Sequence, residues 1–134
     1  VLITVRKSDR KYLLPIAEKI KECGFKIFAT QGTSAFLAEN GIENTPVLKL
    51  LEGRPNIGDM IKNGSIQLII NTPVGREGKT DDSYIRTMAI QYKIPYMTTM
   101  AAANATAIGI QAVLENPSHL PKSLQEYHRS AAAE

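Results

Sequence analysis

Cysteine is almost absent from this chain, aromatic residues are few, and no apolar run is long. The single cysteine, Cys23, cannot build a disulfide framework, and alone it has no metal-ligand spacing. His119 and His128 fall toward the C-terminus with no cysteine partner and no second histidine at helical spacing, so no metal site is expected. No lysine or arginine run is interleaved with aromatics, and the net charge is a mild +3, so nucleic acid is not an expected partner. Without a signal segment or a membrane-length apolar span, the chain reads as cytoplasmic, with no membrane partner. An initiator methionine is also missing. The chain opens inside an apparent strand and closes on Ala131-Ala132-Ala133-Glu134. Residues 1–130 therefore read as one domain cut from a longer polypeptide, and residues 131–134 as an appended scar.

What is present fits one domain. At 134 residues the chain can bury a real core, and its apolar and charged fractions are ordinary. Short β-branched runs alternate with amphipathic stretches. Strands are expected at residues 2–5, 26–29, 45–50, 66–70 and 96–99. The first helix carries Leu13, Leu14, Ile16, Ala17 and Ile20 at helical spacing, with Ser8 or Asp9 as its cap and Gly24 as its stop. Further helices are expected at residues 34–40, 57–62, 83–92 and 101–114. This alternation predicts an α/β fold: a doubly wound, central five-stranded parallel sheet with helices on both faces. The nearly all-apolar run at residues 66–70 suits a strand buried on both sides.

The segment Phe28-Ala29-Thr30-Gln31-Gly32-Thr33-Ser34 carries the clearest chemistry. A strand that runs through Thr-x-Gly-Thr-Ser into a helix can bind an anion. The glycine admits a close ligand, the hydroxyls donate, and the helix start supplies free N–H groups and partial positive charge. Plain N-capping by Thr33 or Ser34 explains the same residues. In such folds ligands bind beyond the carboxyl ends of the strands. That edge would gather Arg10 and Lys11 after strand one, Thr30 to Ser34 after strand two, Lys49 and Arg54 after strand three, and Asn71 after strand four. Arginine suits bidentate phosphate contact and lysine acts as a point charge. Asn71 reads either as a contact to a base or sugar edge or as a turn residue. Asp81 and Asp82 read as a cap before the following helix, with Arg86 placed to pair with one of them. No nucleophile–base pair falls on this edge.

The motifs Phe28-Ala29-Thr30-Gln31-Gly32-Thr33, Glu52-Gly53-Arg54-Pro55, Ile61-Lys62-Asn63-Gly64, Ile69-Ile70-Asn71-Thr72 and Ile85-Arg86, taken in order, resemble the methylglyoxal-synthase-like fold. More narrowly, they resemble the C-terminal regulatory domain of the carbamoyl phosphate synthetase large subunit, from strand one to about Tyr127. The resemblance implies an allosteric domain without catalytic residues or cofactor. Its implied effector is a nucleoside monophosphate, inhibitory uridine monophosphate or activating inosine monophosphate. Its implied partners are the remainder of the large subunit and the glutaminase small subunit, in pyrimidine and arginine synthesis.

By the same resemblance, the effector contacts fall at Arg10 (or Lys11), Thr30, Thr33, Lys49 and Asn71, with Gly32 and Ser34 in the phosphate turn. Pro73 stands where the family has a second threonine, which removes a hydroxyl and an N–H near the nucleoside. Tyr96 and Thr98 match an ornithine-associated segment, but Met97 replaces its acidic residue. A methylglyoxal synthase would need an aspartate base where Arg54 stands. The other readings are that phosphate lyase and a docking module that binds nothing.

Overall fold

Each apolar run finds a layer in the computed structural model, which describes residues 1–75, 79–116 and 122–132. The strands are β1 (Leu2–Thr4), β2 (Phe28–Thr30), β3 (Thr45–Val47), β4 (Ile69–Asn71) and β5 (Tyr96–Met97). A 3-10 helix (Lys7–Tyr12) leads into α1 (Leu13–Glu22). The remaining helices are α2 (Gln31–Glu39), α3 (Ile57–Lys62), α4 (Lys79–Gln91), α5 (Met100–Glu115) and α6 (Leu124–Ala132).

The strands pair in the order β3-β2-β1-β4-β5, all parallel. Leu2 of β1 faces Phe28 on one side and Ile69 on the other. Because side chains alternate across a strand, β1 feeds two cores. Ile3 joins Leu13, Ile16, Ile20 and Leu37 under α1 and α2, with Ala103 and Ala107 of α5. Leu2 joins Ile57, Ile61, Ile69 and Ile85 under α3 and α4. The expected doubly wound, five-stranded parallel sheet is thus the architecture. Strand order reverses between β1 and β4, so a crevice opens beyond their carboxyl ends.

Local detail departs from expectation in several places. Neither Ser8 nor Asp9 caps a helix. The turn after β1 is a 3-10 helix, and the Asp9 carboxylate accepts from Arg6 Nε at 2.7 Å instead. Pro15 sits in the first turn of α1, where its missing N–H costs nothing. Helix α2 begins three residues earlier than expected. Thr30 is its N-cap residue, in extended conformation, so Thr33 and Ser34 lie inside the first turn and cap nothing. Likewise α4 begins at Lys79, which puts Asp81 and Asp82 in its first turn rather than before it.

Strands β3, β4 and β5 are shorter than expected. Ile66 and Leu68 are nonetheless buried ahead of β4. Past β3 only one further bridge forms, from Leu48 to Asn56. Helix α6 was not anticipated. Ser123 and Glu126 close its start reciprocally, at 2.7 and 3.2 Å, and it includes Ala131 and Ala132. No described helix is long and apolar enough to cross a membrane.

Candidate functional site

The crevice is built from strand ends. A cavity of about 210 Å³ is lined by Thr4 of β1, Thr30 of β2, Lys49 beyond β3, and Asp81 and Asp82 of α4. Ile57 and Ile85 form its apolar floor. Cation and hydroxyls therefore stand toward β2 and β3, and carboxylates toward α4. A ligand that fills the cavity would place an anion at the first end and hydrogen-bond donors at the second.

At the first end, the start of α2 is left open. No side chain caps it, so its first-turn amides keep their donor capacity and the helix end keeps its positive character. Arg10, brought over by the 3-10 helix, lays its guanidinium against Gly32. A Cβ on Gly32 would stand 2.5 Å from Arg10 Nη2. Arg10 Nε is buried and has no hydrogen-bond partner, and no carboxylate pairs with Arg10 among the described residues. A buried, unpaired N–H of a cation at the positive end of a helix is costly, and an anion placed there would relieve both terms.

The other sequence-derived candidates separate into groups. The Thr30 hydroxyl donates to Thr4 Oγ1 at 3.0 Å, and both residues line the cavity. Thr33 is buried, and its hydroxyl both donates to Val5 O (3.4 Å) and accepts from Val5 N (3.3 Å), tying α2 to the end of β1. Ser34 donates to Asn44 Oδ1 at 2.6 Å, on the side of α2 toward the β3 connection. Lys11 lies over the Tyr12 ring at 4.9 Å and lines a groove between α1 and α5. The fold thus brings Thr30 and Lys49 to the cavity, and Arg10 to Gly32 at the start of α2. It turns Ser34 and Lys11 elsewhere.

Asn71 is held from two sides. Its amide donates to Asp82 Oδ1 at 3.0 Å and to Tyr96 Oη at 2.8 Å. The second oxygen of Asp82 accepts from Val74 N at 3.2 Å. Asp82 therefore joins β4, the loop after it and α4, and it makes no ion pair with Arg86 among the described residues. Thr4 was missed as a site residue, and Asp81 and Asp82 were read only as a cap before α4. Thr72 accepts from Arg6 N at 2.9 Å and supports the loop after β1. Two signals could have found them: hydroxyls at strand ends, and an acid eleven residues after Asn71.

Arg54 does not face the crevice. It forms a forked pair with Asp59, with Nη2–Oδ1 at 2.6 Å and Nε–Oδ2 at 3.3 Å. Asp59 also completes a capping box with Asn56 at the start of α3. The Arg54 hydrogen bond, with help from the Asn56 backbone N–H, holds the Asp59 carboxyl below the usual carboxylate range. A carboxylate so stabilised is a weak base, and its oxygens are already engaged.

A crevice at the strand ends of a doubly wound parallel sheet defines the class of fold, and the chain belongs to the MGS-like domain family, whose model matches residues 12–98. Its relatives are carbamoyl phosphate synthase large chains. The chain is 47% identical over 132 residues to that of Archaeoglobus fulgidus, which covers 98% of this chain and 12% of the relative. It is 44% identical over 113 residues to the large chain, C-terminal section, of Aquifex aeolicus, covering 84% of this chain and 21% of that one. The chain therefore spans a small part of the relatives it matches. Among solved structures, methylglyoxal synthase from Elizabethkingia anophelis superposes with a TM-score of 0.60 at 19% identity, covering 79% of this chain and 76% of that one. That likeness shows a shared fold.

Proposed function

We propose that this chain is the allosteric effector-binding domain of a carbamoyl phosphate synthase large chain, and that it binds a nucleoside monophosphate by its phosphate. The observation that carries the reading is the Arg10 guanidinium, held against Gly32 at the uncapped start of α2 with Nε buried and unpartnered. The phosphate would take the α2 amides and Arg10, with Lys49 as a nearby point charge, and Thr30 would contact it only by turning its hydroxyl away from Thr4. The ribose and base would extend toward Asp81, Asp82 and the loop at Pro73. Inhibitory uridine monophosphate and activating inosine monophosphate are the effectors to try. The domain itself needs no cofactor, and the chemistry, with the glutaminase small chain, would lie outside it. Regulation then requires only that the nucleotide bind the active and inactive states of the whole enzyme with different affinity.

Calorimetric titration of the chain with uridine and inosine monophosphates tests this reading, with inorganic phosphate as competitor. Saturable binding that phosphate displaces is the expected result. Absence of binding by either nucleotide would sink it.

The lyase reading keeps the phosphate site but lacks a base. Arg54 occupies the loop, and Asp59 is bound to Arg54 and to the start of α3. The pure chain should therefore turn over dihydroxyacetone phosphate no faster than buffer. Turnover abolished by Asp59→Asn would restore the lyase.

A further inference from the structure

Helix α5 has no charged residue from Met100 to Leu114, yet one of its faces is uncovered. Ala103 and Ala107 are buried on the sheet, while Ala101, Ala105, Ile108 and Ala112 form an exposed stripe at helical spacing. Ile108 is 47% exposed, and Val113 on the flank of the stripe is 58% exposed. An uncharged helix face this long, left in water, marks a place where another surface sits. The stripe is continuous with a groove of about 470 Å³ between α1 and α5, to which Ala101 also belongs. The groove's polar groups are of one sign. Lys11 lies over Tyr12, Lys19 donates to Asn104 Oδ1 at 3.2 Å, and the start of α5 adds its positive end. Among the described residues no carboxylate lines the groove itself.

We propose that this face of α1 and α5 seats a segment of the remainder of the large chain, one that presents apolar side chains to the α5 stripe and a carboxylate to Lys11 and Lys19. The inference rests on reading the chain as a domain of that enzyme. Two observations select the occupant. The groove lining is basic and calls for an acidic rim, and the α1 carboxylate at this interface, Glu22, already accepts from Gln111 of α5 at 3.2 Å. The chain spans only 12% of its Archaeoglobus relative, so most of such a protein lies outside it and is available to cover the face. The seat also adjoins the nucleotide crevice. The 3-10 helix carries Arg10 to Gly32 and, one residue on, Lys11 to the groove. That segment buries none of its residues, so an anion that draws in Arg10 can shift Lys11 and Tyr12 at low cost.

The test is thiol accessibility. Cys23 is first replaced by serine, and Ala105→Cys is compared with Ile90→Cys, a control on the opposite face at α4, where Ile90 is 73% exposed. Each is labelled with a maleimide in this chain alone and in the full-length large chain. Position 105 should react at least about tenfold more slowly in the full-length chain, and position 90 equally in both. Equal reaction at 105 would overturn the proposal. So would slow reaction at 105 in the chain alone with a doubled mass in light scattering, which would assign the face to a second copy. A second arm uses Ala105→Glu. It should leave the affinity of the chain alone for uridine monophosphate unchanged and weaken the nucleotide response of the full-length enzyme. A response equal to wild type would count against the seat. If the chain alone binds no nucleotide while position 105 is still protected, the effector reading fails and the docking face stands.

Discussion

Two helix starts in this molecule, those of α2 and α3, are finished in opposite ways. Helix α3 closes itself: Asn56 and Asp59 exchange side chain-to-backbone hydrogen bonds, and Arg54 neutralises the carboxylate. Helix α2 does the reverse. Its cap residue, Thr30, directs its hydroxyl to Thr4, and a cation rather than an anion is brought to the positive end. A start that carries its own carboxylate has no need of a ligand and no room for one. A start left open beside an unpartnered guanidinium supports the proposed phosphate site. The comparison also bears on the two readings of the family fold, since Arg54 stands where a lyase would need its base and the self-closed start engages Asp59, the nearby acid.

The sharpest way to break this comparison is to remove the cation from the open start. Arg10→Ala should weaken uridine monophosphate binding to this chain by roughly tenfold to a hundredfold, as a hydrogen bond to a charged group contributes about 1.5–3 kcal/mol. Calorimetry with a folded variant would show it, and unchanged affinity would mean that the α2 start is not the phosphate site. Next in size, Gly32→Ala places a methyl where Arg10 Nη2 now lies. The guanidinium can swing away, and alanine favours a helix over glycine. Affinity should fall about tenfold while the melting temperature stays level or rises. A parallel loss of both would make Gly32 a packing residue only.

The closed start should respond the other way. Asn56→Ala removes the cap and the bond from Asn56 Nδ2 to Gly53 O, and should cost about 1–2 kcal/mol in urea unfolding. Nucleotide affinity should not change; a drop would mean that the two starts are coupled. The smallest effect concerns pH. The folded-state pKa of Asp59 lies below its unfolded value, so its contribution is fully present above about pH 4 and is lost as pH falls through the folded value. Unfolding curves from pH 5 to 2 should therefore show a shallower acid limb for Asp59→Asn than for wild type. Identical limbs would show that the pair does not act on stability.

The Asn71 network explains why some site residues were hidden in the sequence. Asn71 stood out as a strand-end amide. That its two donors are taken by Asp82 and Tyr96 depends on α4 and β5 lying side by side with β4, which no local pattern encodes. Thr33 shows the same limit. Its motif suggested a ligand hydroxyl or a cap, whereas the parallel neighbour β1 supplies both its partners at Val5. For that reason Thr33→Val would disturb packing and binding together, and Arg10→Ala is the cleaner probe.

By itself, the sequence determined the layer order of this protein. Alternating β-branched runs and amphipathic stretches leave few ways to bury both, and right-handed crossovers select one of them. It also singled out the β2–α2 turn as the candidate anion site, because its glycine and hydroxyls are local chemistry. Tertiary structure alone decided which cations reach that turn. Arg10 and Lys11 are adjacent in the chain, yet the winding of the 3-10 helix sends one to Gly32 and the other to the groove beside α5. The direction of a side chain on a tight turn depends on backbone angles that only packing against the neighbouring strands and helices sets.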